Sequence, residues 1–243
     1  MINVLIADDN LEFSIKIINE ISKNMDIRIC KVCTNGNEVL KTLNDCQVDI
    51  VILDMIMPIC DGWEVIKQLS DSQKEKYENS IIAISGNSWY LSKTINNPLV
   101  YDFILKGTQL EEIINRIKKL VDVKNITYKR QEIMGELEKI GYDIGHKGTI
   151  YLIEAIFLIY SKGENIVDNL QKDIYPIIAK AYHKTINNIK CNINNATEAM
   201  YYKCDSTKLK EYFNFYDDTK PTTKTVIYTV LNNIIKGKDI LII

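Results

Sequence analysis

Five short apolar runs, separated by stretches of helical length, limit what the first half of this chain can fold into. The runs are Ile2–Ala7, Arg28–Cys33, Asp49–Leu53, Ser80–Ile84 and Val100–Leu105. Between and after them lie Leu11–Lys23, Gly36–Asn44, Gly62–Ser70, Ser88–Asn96 and Gln109–Leu120. Phe13, Ile17, Ile18 and Ile21 recur at helical spacing, and Leu110, Ile113, Ile114, Ile117 and Leu120 form a second stripe of the same period. Strands alternating with helices predict an α/β, doubly wound, five-stranded parallel sheet over residues 1–121. The runs ending at Asp8, Asp54 and Ser85 are apolar at nearly every position, as strands covered on both faces require.

From Asp122 to Arg130 polar residues take over, and a short linker is expected over 122–130. Beyond it no strand pattern appears, so residues 131–243 are expected to form an all-α domain. Its predicted helices are Gln131–Ile140, Thr149–Ser161, Val167–Asp173, Tyr175–Tyr182, Ile186–Lys203, Thr207–Asn214 and Thr222–Lys236. Thr149–Ser161 is apolar almost all round and is the expected buried central helix. Residues 174–203 fit a helix-turn-helix. Pro176 sits in a first turn, His183-Lys184-Thr185 makes a short turn, and Ile189, Ile193, Ala196 and Met200 form the packed stripe of the next helix. That stripe leaves Asn187, Asn188, Lys190, Asn194 and Asn195 outside, with Lys184 in the turn before them. Asparagine bonds adenine bidentately, and lysine bonds guanine or phosphate, so this face can read the major groove of duplex DNA. An ordinary αα-hairpin with a solvated face remains open.

Charge and cysteine usage narrow the class. The formal net charge is −2, so any contact with nucleic acid needs a local patch rather than an overall excess. Residues 1–129 hold 15 basic and 18 acidic side chains, and residues 130–243 hold 15 and 14. Lys180, Lys184, Lys190 and Lys203 could supply one basic side. The longest nearly apolar stretch, Ile150–Tyr160, carries Glu154 and falls well short of a bilayer span, and the opening residues reach Asp8-Asp9 without a basic region. No membrane association and a cytoplasmic location are expected. Of six cysteines, Cys30 and Cys33 form a C-x-x-C within an alternating run. Odd spacing on a regular strand puts the two sulfurs on opposite faces, so buried thiols are expected rather than a redox or metal pair.

Four polar features follow four of the predicted strands: Asp8-Asp9, Asp54, Ser85 and Lys106. In an open parallel sheet the carboxyl ends of the strands share one edge, so these residues converge. Clustered carboxylates repel unless a hard divalent cation with oxygen ligands, here expected to be Mg²⁺, sits among them. One carboxylate could attack phosphorus while the cation and a lysine neutralise the transferring oxygens and the serine hydroxyl donates to one of them.

Residues 1–121 resemble the receiver domain of two-component response regulators, a flavodoxin-like fold. The stretches that carry the resemblance are Ala7-Asp8-Asp9-Asn10, Ile52-Leu53-Asp54-Met55-Ile56-Met57-Pro58-Ile59-Cys60-Asp61-Gly62, Ile84-Ser85-Gly86 and Phe103-Ile104-Leu105-Lys106. The resemblance implies phosphorylation of Asp54 by an upstream histidine kinase or phosphotransferase. It further implies a cation held by Asp8, Asp9, Asp54 and the Ile56 carbonyl, and a switch through Ser85 and Phe103. Gly107 stands where receivers usually have proline. Residues 131–236 resemble the effector domain of the stage zero sporulation protein A family, through Lys147–Ile156, Ile174–Lys180 and Lys220-Pro221-Thr222. By that resemblance the chain is a DNA-binding transcription regulator of the sporulation type rather than a turnover enzyme. It would dimerise on phosphorylation, with RNA polymerase a further partner. The family's recognition helix is rich in arginine, whereas Asn188, Lys190, Cys191, Asn194 and Asn195 stand at those places here. A protein-binding module that titrates a homologue is the alternative. An aspartate-nucleophile phosphatase is disfavoured because Ile56, not a second aspartate, stands two residues after Asp54.

Overall fold

The computed structural model describes residues 1–24, 27–163, 169–213 and 219–239. They divide into two compact units, Met1–Ile126 and Thr127–Ile243. The first unit holds β1 (Ile2–Ala7), α1 (Leu11–Asn24), β2 (Ile27–Cys33), α2 (Gly36–Asp45), β3 (Ile50–Asp54), α3 (Gly62–Gln68), α4 (Asp71–Lys76), β4 (Ile81–Ser85), α5 (Trp89–Thr94) and β5 (Val100–Leu105). The strands form one parallel sheet in the order β2-β1-β3-β4-β5, the doubly wound order in which the switch point lies between β1 and β3. Alternate strand residues feed two cores. Leu5, Val51, Leu53, Ile81 and Ala83 pack on one face, and Val4, Ile6, Ile50, Ile52, Ile82 and Ile84 on the other. Burial of both faces explains why β3 and β4 are apolar without alternation.

Three local features differ from the sequence expectations. Residues 122–130, expected as a linker, are helical. They lie inside α6 (Leu110–Lys139), and the boundary between the two units falls within that helix. The stretch contains neither glycine nor proline, and a helix facing water there needs no apolar stripe to persist. The short helix α4 has no buried residue and therefore no apolar signature; a capping box between Ser70 and Gln73 starts it. Finally, Cys30 and Cys33 do not face opposite sides. The β1–β2 register slips between Val4 and Leu5, so Cys30 is the extra residue of a bulge, and both cysteines pack against the same core. All six cysteines are free thiols, and burial pushes the Cys30 and Cys33 thiols above their usual range.

The second unit is helical throughout its described residues. After α6 come α7 (Lys147–Ser161), α8 (Leu170–Asp173), α9 (Tyr175–Ala181), α10 (Ile186–Lys203), α11 (Ser206–Tyr212) and α12 (Thr223–Asp239). Of the predicted helices, Val167 and Asp168 at one start and Asn214 at one end lie outside the described residues. The central helix α7 buries Leu152, Ala155, Ile156 and Ile159, and Ile189, Ile193, Ala196 and Met200 of α10 join the same core. No helix among the described residues is long and apolar enough to cross a membrane.

One carboxylate ties three helices together. Glu136 on α6 accepts from the Tyr212 hydroxyl at 2.8 Å and the Asn233 amide at 3.3 Å, and Lys139 pairs with it. Burial works against its charge, but these donors outweigh it and hold the carboxyl below its ordinary value of 4.5. A lowered folded-state pKa contributes stability that is full above 4.5 and is lost as the pH falls through the lowered value. Glu136→Ala is expected to cost about 1–2 kcal/mol at pH 7, since it takes the acceptor from the half-buried Tyr212 hydroxyl. Urea midpoints of the two proteins should converge as the pH drops through the carboxylate range; an equal gap at both ends would refute this account.

Candidate functional site

The carboxyl edge of the sheet brings the predicted residues together. Asp54 closes β3, Asp8 and Asp9 follow β1, and Lys106 follows β5. Carboxylate oxygens of Asp8, Asp9 and Asp54 lie within 4.8 Å of one another. Asp8 and Asp54 are 2% and 1% exposed, whereas Asp9 is open to solvent, so the cluster has two seated anions and one accessible one. The Lys106 ammonium donates to Asp54 Oδ2 at 2.7 Å and reaches Asp8 Oδ2 at 3.0 Å.

Main-chain geometry fixes the carboxylates. Asp54 Oδ1 accepts the Ile56 N–H at 3.0 Å, and Asp8 Oδ1 accepts the Asn10 N–H at 2.8 Å. Asn10 in turn caps α1 by accepting the Phe13 N–H at 3.1 Å. The first turn of α1 is thus registered against the acidic pair. Burial pushes the Asp54 carboxyl above its ordinary range, against the opposing pull of Lys106 and the Ile56 N–H. Burial also opposes the Lys106 charge, but its bonds to Asp54 and Asp8 outweigh that and raise its pKa. The peptide bonds of the described residues are all trans, and Lys106 reaches both carboxylates with Gly107 after it.

Ser85 ends β4 fully buried, its hydroxyl accepting the Asn87 N–H at 3.1 Å, and its carbonyl accepts the Lys106 N–H at 2.9 Å. Phe103 on β5 is half-buried against the core that holds Leu53, Ile81 and Ala83. Two features escaped the sequence reading. Ile59, in the loop after Asp54, has φ 71°, a strained conformation for a β-branched residue, and is 80% exposed. Tyr90 on α5 feels the charges of Asp61 and Asp54, and burial raises its phenol pKa. Nothing in the short Trp89–Thr94 pattern marks that tyrosine beforehand.

The loop from Asp54 into α3 leaves no spare room. A Cβ on Gly62 would lie 2.3 Å from the Asp54 carbonyl oxygen, which is why glycine opens α3 directly after its Asp61 cap.

In the helical unit, α9 and α10 are joined by a tight turn in which His183 takes φ 52°, and Thr185 caps α10 by accepting the Asn188 N–H at 3.2 Å. Lys184, Asn187, Asn188, Lys190, Asn194 and Asn195 are all exposed. They are not equally free. Asn188 Oδ1 accepts from Asn192 Nδ2 at 3.2 Å, and Asn194 Oδ1 accepts from the Thr223 hydroxyl of α12 at 3.2 Å.

A parallel sheet with an acid–lysine cluster at its carboxyl edge defines the first unit as a receiver, and the family model of the response regulator receiver domain matches residues 4–118. Residues 4–118 are thus a response regulator receiver domain. The model described as the sporulation initiation factor Spo0A C terminal matches residues 133–234, so the particular architecture is that of Spo0A, a receiver followed by this C-terminal domain. Similar solved structures include the receiver domain of the Francisella response regulator 1452, 24% identical over 51% of this chain and 99% of that one, with a TM-score of 0.44. They also include the response regulatory domain of mrkE from Klebsiella pneumoniae, at 25% over 50% and 97% with a TM-score of 0.44. A third is the response regulator TrrA from Thermotoga maritima in complex with Mg²⁺-BeF, at 27% over 49% and 99% with a TM-score of 0.43.

Proposed function

We propose that this sporulation-type response regulator accepts a phosphoryl group on Asp54 and uses the change to control DNA binding by its helical domain. The carrying observation is the Lys106 ammonium held between Asp54 and Asp8 at 2.7 and 3.0 Å, beside the exposed carboxylate of Asp9. The donor set is all hard oxygen with no thiolate or imidazole, which fits Mg²⁺; Asp8, Asp9, Asp54 and the Ile56 carbonyl would hold it. When bound, that cation supplies neutralisation of phosphoryl oxygens. One Asp54 carboxylate oxygen attacks phosphorus, the bond from phosphorus to the donor's leaving group breaks, and an acyl phosphate results. Lys106 stabilises the charge on the transferring oxygens. Ser85 then donates its hydroxyl to a phosphoryl oxygen, and Phe103 follows inward, altering the face around β4 and β5.

The phosphoryl group comes from a histidine kinase or phosphotransferase. The altered face pairs two receivers, which places two helical domains on adjacent half-sites at high effective concentration. In each, α10 enters the major groove with Lys184, Asn187, Asn188, Lys190, Asn194 and Asn195 toward DNA, in a cytoplasmic protein that contacts RNA polymerase. The hydrogen bond from Thr223 takes Asn194 Oδ1 out of the reading face; the alternative is a receiver-controlled module whose α10 meets a protein.

The phosphosite has a direct test. With Mg²⁺ and acetyl phosphate, intact-mass analysis should show one base-labile phosphoryl group, absent in Asp54→Ala. Asp9→Ala should label roughly tenfold more slowly through loss of a charged oxygen ligand. Labelling of Asp54→Ala would overturn the assignment.

A further inference from the structure

The exposed face of α10 carries an unusual selection of side chains for a helix that enters DNA. The helix contains no arginine, and Lys190 is its only basic residue before the last turn. Asn187, Asn188, Lys190, Cys191, Asn194 and Asn195 are exposed and fall within an arc of about 160° on a helix of 3.6 residues per turn. Beyond them the same face turns acidic. Glu198 lies one turn further on, paired with Lys220 at 3.8 Å. A carboxylate there faces phosphate unfavourably, so the readable patch ends near Asn195. From Asn187 to Asn195 the rise is about 12 Å, the length of roughly three to four stacked base pairs.

Within this patch the amides differ. Asn188 is held by Asn192, and Asn194 is held by Thr223. Asn187 has only a long 3.9 Å contact from the Cys191 thiol, and among the described residues no hydrogen-bond partner holds the Asn195 side chain. A bidentate contact with adenine needs both halves of an amide, Nδ2–H donating to N7 and Oδ1 accepting from N6–H. Asn195 has both halves uncommitted and Asn187 carries only the long thiol contact on its Oδ1, so both can rotate to meet a base. Between them the Cys191 thiol offers an apolar surface suited to a thymine methyl. The bidentate guanine contact that arginine makes has no donor here except Lys190. The patch is also seated firmly: α10 crosses α7 so closely that a Cβ on Gly148 would sit 1.9 Å from the Asn192 carbonyl oxygen.

We propose that α10 reads a short A·T core, three to four base pairs long, with Asn187 and Asn195 as the residues that recognise adenine. The proposal rests on the reading of the helical domain as DNA-binding and assigns the base class that domain selects. Asn188 and Asn194 shape and anchor the helix. Lys184 and Lys190 supply charge without deciding sequence.

The test uses the full chain with Mg²⁺ and acetyl phosphate at low salt, selecting duplexes from a random pool. Affinities are then measured on the selected duplex with adenine replaced, one position at a time, by 7-deazaadenine, which lacks the N7 acceptor. The expected result is an enriched A·T core in which one replacement weakens the intact protein about 5- to 150-fold. The same replacement should leave the already weakened Asn187→Ala or Asn195→Ala protein unchanged, because the partner of that N7 is gone. Asn188→Ala and Asn194→Ala should keep the A·T preference. Far-UV circular dichroism reports folding, since all four asparagines are exposed and their removal should leave the helical signal of the parent. An enriched G·C core, or a deaza effect that persists undiminished in both reading variants, overturns the proposal while DNA binding stands. Equal binding of all sequences does the same. No binding to any duplex at low salt overturns both this proposal and the DNA-binding reading.

Discussion

Replacing Gly148 with alanine is expected to unfold the helical unit and leave the receiver working. The added Cβ would lie 1.9 Å from the Asn192 carbonyl oxygen, 2.5 Å from its carbon and 2.8 Å from the Ala196 Cβ. Two of these atoms are backbone of α10, so no rotamer change relieves the clash, and α7 and α10 must part. Parting loosens Leu152 and Ile156 from Ile189 and Ile193, all fully buried. Overpacking of this kind costs about 3 kcal/mol, and rigid backbone puts this site at or above that figure, a large share of a domain's 5–15 kcal/mol. Far-UV circular dichroism should show loss of a helical transition below 37 °C, while phosphorylation of Asp54 proceeds as before. Gly135 supplies the control. It lies inside α6 with nothing within 4 Å of an added Cβ, so Gly135→Ala should stabilise by about 0.5–1 kcal/mol. Equal melting of Gly148→Ala and the parent would refute the close crossing.

The residues that were legible beforehand share one property: burial decides their identity. β1, β3 and β4 are covered on both faces, so their apolar runs announce both the strands and the ends where Asp8, Asp54 and Ser85 stand. The stripe of Ile189, Ile193, Ala196 and Met200 located α10 for the same reason. Features held by local hydrogen bonds or by water were not legible. The polar stretch of α6 between Asp122 and Tyr128 is mostly exposed, and hydropathy could not separate it from a linker. Its end was firmer than it looked, because Lys129 is 8% exposed, pairs with Glu132 and lies 4.4 Å from the Tyr160 ring centroid. The parity argument for Cys30 and Cys33 failed on a single bulged residue, which shifts every later side chain to the other face. At the acidic site, sequence order could place Lys106 at the sheet edge. It could not show that one ammonium would satisfy two buried carboxylates at once.

That shared ammonium makes Lys106→Met the most informative change in the receiver. The parent holds two nearly inaccessible carboxylates near one another because Nζ lies 2.7 Å from Asp54 and 3.0 Å from Asp8. Methionine fills the volume of the stem but leaves both anions without a counter-charge. Removing one partner from a buried pair costs 3–5 kcal/mol, and water reaching the 29% exposed lysine position trims this to about 2 kcal/mol. For a domain of this size the receiver transition should fall by roughly 5–10 °C in the absence of divalent cations. Mg²⁺ should restore more of the melting temperature in the variant than in the parent, since the freed carboxylates gain most from a hard cation. Phosphoryl transfer should not recover with it. In the proposed transfer Lys106 also meets the charge on the transferring oxygens, so labelling from acetyl phosphate should stay at least about 100-fold slower even at saturating Mg²⁺. Stability and chemistry therefore separate in one protein: the cation replaces the lysine as a counter-charge but not as a donor. A variant that melts with the parent would show that the ammonium is not the needed counter-charge, and one that labels at the parental rate once Mg²⁺ is added would show that it is not the needed donor.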